Sequence, residues 1–158
     1  MDATFSVDAW SAFAAGLEDD AAWRDWGRAP WLRPGDAMPA LAAMAPMRRR
    51  RVERLGRAAL QVAWRCQGDG AGEMPMVFTS RHGDLDRTHK MLAELARDEP
   101  LSPTQFGLST HNAIAAQYSI ARGLQGNYLA VSAVRATPEA AVTEAVGLLA
   151  DGAPAVLV

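Results

Sequence analysis

The sequence predicts an α/β fold organised on a largely parallel sheet. Short apolar runs rich in β-branched and aromatic residues alternate with longer stretches of helical periodicity. The C-terminal stretch, residues 123–158, reads as strand, sharp turn, helix and strand. No internal repeat or low-complexity linker interrupts this alternation. A chain of 158 residues with 49% hydrophobic residues suits one domain, 1–158, with a sizeable core.

Taken in order, residues 5–7 predict a first strand. Asp8 then caps a short helix through Trp10, Phe13, Ala14 and Leu17, ending near Gly16. Residues 23–35 hold Trp23, Trp26 and Trp31 with two prolines and two glycines. That mixture predicts an irregular segment packed by its own aromatics and lying over the sheet. Pro39 and Pro46 delay the next helix, residues 47–67. Its apolar face is Val52, Leu55, Ala59, Val62, Ala63 and Cys66; Arg50, Arg54, Arg57, Gln61 and Arg65 occupy the other side. Residues 68–72 form a glycine-rich flexible turn. Residues 76–79 predict a strand and 80–84 a turn. Asp84 caps a helix carrying Leu85, Thr88, Met91, Leu92 and Leu95, which Asp98, Glu99 and Pro100 stop. Ser102 and Pro103 open a loop. Ser109 or Thr110 caps a helix whose face is Ala113, Ile114, Gln117, Tyr118 and Ala121, ending at Gly123.

The closing unit is the most informative. Residues 128–132 predict a strand. Thr137 caps a helix, Pro138 suits its first turn, and Glu139 suits the positive end of its dipole. Val142, Ala145, Val146 and Leu149 form one buried stripe, Gly152 ends the helix, and residues 155–158 predict a fully buried strand. A turn between strand and helix is where α/β enzymes often mount a nucleophile, because backbone N–H groups and the dipole stabilise an anion there. Arg135 occupies that turn. Its guanidinium stays protonated and cannot serve as a nucleophile. Ser132 and Thr137 carry hydroxyls nearby, but without an organised base they are poor nucleophiles.

Composition bounds the remaining classes. A formal charge of −2 gives no global reason to expect nucleic acid. Arg48, Arg49, Arg50, Arg51, Arg54 and Arg57 form the one charge cluster: a solvated helix face, or a dock for an acidic protein. Cys66 is the only cysteine, which excludes an internal disulfide and a cysteine-based zinc site. Its place on an apolar face predicts an inert, packed thiol. His82 and His89, with Asp84 and Asp86 between them, make a weak metal signal, and no metal is expected. No Walker or dinucleotide fingerprint is present, and no cofactor is expected. No apolar run is long enough for a bilayer and nothing reads as a signal peptide, so a soluble cytoplasmic protein is expected.

Three segments together carry a family resemblance. They are Met76-Val-Phe-Thr-Ser-Arg-His-Gly83; the stretch from Leu101-Ser-Pro through Ser-Thr-His-Asn112 to Gly123; and Gly123-x-x-Gly126 followed by strand, turn, alanine-rich helix, glycine and strand. In this order they resemble β-ketoacyl-acyl carrier protein synthases over residues 5–158. The nearest likeness is to the chain-length-factor-like ketosynthases of aryl-polyene and xanthomonadin-type pigment clusters. The resemblance implies a thiolase-like fold, of which these residues supply the N-terminal half. The catalytic histidine pair of working ketosynthases lies in the other half. It implies that the nucleophilic cysteine's place falls on Arg135, so that thioester chemistry at that position is lost. It also implies that His111, Asn112, Ser132 and Thr137 belong to an acyl tunnel or subunit interface, where for His111 packing or hydrogen bonding outweighs acid–base work. The partners implied are an active ketosynthase or a second copy, with an acyl carrier protein docking on the arginine cluster. Two other readings stay open on the residues alone: a divergent acyl transferase or hydrolase using a hydroxyl near the turn, and a self-associating structural fragment.

Overall fold

The structure, a computed structural model, describes residues 4–17, 19–32, 35–68 and 74–158. Seven helices and two strands are found among them. They are α1 (Asp20–Arg28), α2 (Pro46–Arg49), α3 (Arg54–Gln67), β1 (Met76–Thr79), α4 (Leu85–Ala96), α5 (Pro103–Ser109), α6 (Ala113–Arg122), β2 (Tyr128–Val131) and α7 (Thr137–Ala150).

β1 and β2 pair in parallel, with Met76 opposite Tyr128 and Thr79 opposite Val131. On the other edge of β1, Val77 donates its N–H to the Leu157 carbonyl at 2.8 Å, and Met76 and Leu157 form an isolated parallel bridge. β1 is therefore central. Successive side chains of a strand point to opposite faces. Phe78 faces α6, its ring 6.0 Å from that of Tyr118. Thr79 faces α7, where its Oγ1 meets the Thr137 carbonyl at 3.3 Å. Helices cover both sides of the sheet, and α3 packs on α6 as a further layer. The core gathers Leu41, Met44, Val52, Leu60, Met76 and Tyr118.

Helix boundaries follow local chemistry. The Asp19 carboxylate accepts the Ala22 N–H at 2.9 Å and starts α1. Asp84 accepts the Arg87 N–H and starts α4, as its sequence position predicts. Gly123, at φ 69°, ends α6 in the left-handed conformation that glycine adopts at little cost.

Several expectations need correction. Residues 5–7 form no strand; Phe5 and Val7 are exposed, with no strand beside them among the described residues. The helix expected after Asp8 is absent. Gly16 instead turns the chain at φ 69°, and Leu17 N–H bonds back to Ala14. The segment from Trp23 is not irregular to its end, because the Asp19 cap makes α1 of its first part. The tryptophans still pack on one another: Trp23 and Trp26 meet edge to face at 5.6 Å, and Trp26 Nε1 donates to the Trp31 carbonyl. The single helix expected over 47–67 breaks at residues 50–53, between α2 and α3. Its buried face is Gly56, Leu60, Ala63 and Gln67, while Leu55 is substantially exposed.

On α4 the buried residues are Arg87 and Met91; Leu85, Leu92 and Leu95 face outward. Ser102 and Pro103 open a helix rather than a loop: the Ser102 hydroxyl accepts the Gln105 N–H at 3.4 Å, and Pro103 supplies the first turn. Ser109 and Thr110 do not cap α6. Their hydroxyls donate to the Phe106 and Gly107 carbonyls and close α5 instead. Thr137 begins α7 rather than capping it, and the buried face there is Thr137, Ala141 and Ala145, with Val142 exposed. Residues 155–158 supply one bridge rather than a buried strand, and Val158 is exposed. Of the glycine-rich turn, residues 69–72 lie outside the described residues.

Candidate functional site

The two parallel strands end side by side. Parallel sheets bind ligands in the crevice beyond the carboxyl ends of their strands. Here β1 runs into the turn at residues 80–84 and β2 into the turn at 132–136, and the two turns are tied together. Ser80 N–H extends the ladder to the Val131 carbonyl at 3.2 Å, and Ser132 Oγ donates to the Arg81 carbonyl at 3.1 Å.

Arg135 lies in the second turn, exposed, between the last residue of β2 and the first of α7. Ala136 follows at φ 55°, ψ 41°, a left-handed conformation that is uncommon outside glycine. It stands at the N-cap of α7 with no side chain bonded to the first-turn N–H groups. Both hydroxyls named in the sequence are engaged. Ser132 bonds to Arg81 as above, and Thr137, buried, donates to the Ala133 carbonyl at 2.8 Å. Each gives its proton to a main-chain oxygen rather than to a base.

A pocket of about 40 Å³ opens beside the strand ends. Leu55, Ala59, Phe78, Ile114 and Val131 are its apolar walls, and Thr79, Ser80 and His111 its polar ones. The His111 ring lies over Gly83: a Cβ at Gly83 would stand 3.4–3.5 Å from the ring atoms. That is ordinary van der Waals contact; what disfavours a side chain at Gly83 is its φ of 63°. Asn112 is the N-cap of α6 and makes no side-chain cap bond. The structure thus brings His111 to the pocket, and Ser132, Arg135 and Thr137 to the adjacent turn, while Asn112 serves the helix start.

The arginine cluster is divided by the bend after α2. Arg49 donates to the Leu41 carbonyl, Arg54 to Asp36 and the Gly35 carbonyl, and Arg57 to the carbonyls of Val52 and Arg49. These three tie the chain to itself. Arg48, Arg50 and Arg51 present exposed side chains. Cys66 is half-buried on α3, and burial raises its thiol pKa, which suppresses the thiolate.

Two buried polar arrangements escape sequence reasoning. Arg87 is 3% exposed and bonds to Asp84, Gln105 and the Arg51 carbonyl. Its i,i+3 spacing from Asp84 was the one available sign, and it reads equally as a surface pair. Tyr118, fully buried, donates to Gln67 Oε1 at 2.6 Å, and nothing in the spacing of residues 67 and 118 announces that bond.

Helices on both faces of a parallel sheet, with two tied turns at the strand ends, define a layered α/β scaffold. Residues 23–158 match the family pattern of the β-ketoacyl synthase N-terminal domain, and the chain belongs to that family. Among solved structures it is similar to a chain of the ketosynthase (ApeO) in complex with its chain length factor (ApeC) from Xenorhabdus doucetiae. The identity is 27% and the TM-score 0.84, over 94% of this chain and 63% of that one. A β-ketoacyl synthase from Burkholderia phymatum shares the fold at 18% identity and a TM-score of 0.61, over 82% of this chain and 36% of that one. No curated protein matches. The fold is thiolase-like, and the chain spans less than two thirds of either solved chain. No helix among the described residues is long and apolar enough to cross a membrane.

Proposed function

We propose that this chain is a non-catalytic, chain-length-factor-type subunit that pairs with an active ketosynthase in polyene-type pigment synthesis. The observation that carries the reading is Arg135. It stands in the strand-to-helix turn where the family resemblance puts the nucleophilic cysteine, and a guanidinium forms no thioester. The likeness to a chain of a complex between a ketosynthase and its chain length factor supports pairing.

In this reading the pocket beside the strand ends receives the end of the growing acyl chain, with His111 on its wall. The pairing surface centres on the outer strand β2, where Ala130 is exposed, and on α6, where Ile120 is 58% exposed. Arg48, Arg50 and Arg51 supply positive charge for an acidic carrier protein. Co-expression with a ketosynthase encoded nearby tests the proposal. The two proteins co-purify, and deletion of this chain alters polyene length. Failure on both counts refutes it.

A further inference from the structure

Arg87 is the only fully buried arginine among the described residues. Its Nε donates to Asp84 Oδ2 at 3.0 Å, one terminal nitrogen donates to the Arg51 carbonyl at 3.0 Å, and the other bonds to Gln105 Oε1. The Glu53 carboxylate lies 3.6 Å away. Each partner adjoins a different wall of the pocket. Asp84 follows Gly83, over which the His111 ring lies. Arg51 and Glu53 lead into α3, whose Leu55 is an apolar wall. Gln105 lies on α5, whose end runs directly into His111. One planar, rigid donor fork therefore joins the three segments that carry Gly83, Leu55 and His111.

A desolvated guanidinium is a costly way to hold helices together, and apolar residues of equal volume often do so as well or better. What the fork adds is a fixed geometry. We infer that Arg87 is a positioning residue for the pocket: it sets the separation of these walls, and with it the length of apolar chain the pocket admits. The inference rests on the functional reading above. The pocket holds roughly three water-sized groups, so a small movement of one wall changes what fits.

The test uses Gln105→Ala, which removes one exposed partner of the fork, and Arg87→Lys, which keeps the charge and loses the fork. Each is co-expressed with the partner ketosynthase; co-purified yield, melting temperature and product lengths by mass spectrometry are read together. Gln105→Ala is expected to keep the wild-type yield and to melt within about 2 °C of wild type. The ratio of neighbouring product lengths, one two-carbon unit apart, is expected to change about threefold in both variants. Wild-type lengths at wild-type yield overturn the inference, as does a length change that only follows loss of the pair. If Arg87→Lys does not fold, Gln105→Ala decides on the same criteria. A wild-type chain that never pairs overturns the functional reading, and this inference with it.

Discussion

The Tyr118 hydroxyl and Gln67 Oε1 are 2.6 Å apart and buried, joining α6 to the end of α3. Around this bond, Tyr118 meets Trp64 edge to face at 4.8 Å, and the Arg122 guanidinium lies 5.7 Å from the Trp64 ring and 5.9 Å from the Tyr118 ring. Among the described residues the Gln67 amide nitrogen has no hydrogen-bond partner, and the phenol is the one group bonded to that side chain. Tyr118→Phe therefore strands a buried carbonyl oxygen and is expected to cost about 1–3 kcal/mol, read as a lower urea midpoint at unchanged slope.

The same bond has a pH signature. Burial pushes the Tyr118 pKa up to about 12; Arg122 pulls it down by less, and Cys66 adds a small rise. In the unfolded chain a tyrosine ionises near pH 10. The protonated phenol is thus favoured by folding. Its contribution is complete below the unfolded value and is lost as pH rises from about 10 through about 12. Urea unfolding across that range is expected to show falling stability that is reduced in Tyr118→Phe.

Asp84 and Arg87 form a buried pair, and removal of one partner leaves the other charge uncompensated. Asp84→Ala is expected to lose about 3 kcal/mol, part of it from the N-cap of α4. The double variant with Arg87→Met is expected to lose less than the sum of the two single changes, a coupling that a double-mutant cycle measures directly.

Two turn positions are expected to respond in opposite directions. Gly83→Ala forces a side chain into left-handed backbone against the His111 ring and is expected to cost about 1–2 kcal/mol. Ala136→Gly relieves a left-handed alanine at the start of α7 and is expected to gain up to about 1 kcal/mol. Thermal melting of the two variants side by side checks both signs.

The sequence revealed some elements clearly and misled at others, for identifiable reasons. β1, the Asp84 cap, the Gly123 stop and the strand-turn-helix around Arg135 were legible because each depends on local chemistry. The strand expected at residues 5–7 failed because an apolar alternation makes a strand only where a neighbouring strand accepts its bonds. The face of α4 was assigned to its leucines, yet Arg87 takes the buried side because Asp84, Gln105 and Arg51 converge on it from three segments. Those partners lie up to 36 residues away, beyond what helical periodicity records. At the site, His111 was singled out only through the family resemblance of its segment. The contact that gives it a place, its ring over Gly83, arises only when two loops meet.

The proposed non-catalytic role requires that this chain carry no acyl nucleophile of its own. The decisive measurement is intact-mass spectrometry of the co-purified pair after incubation with an acyl-carrier-protein thioester. An acyl increment is expected on the partner ketosynthase and none on this chain. An increment on this chain that disappears in Ser132→Ala or Thr137→Ala would contradict that role.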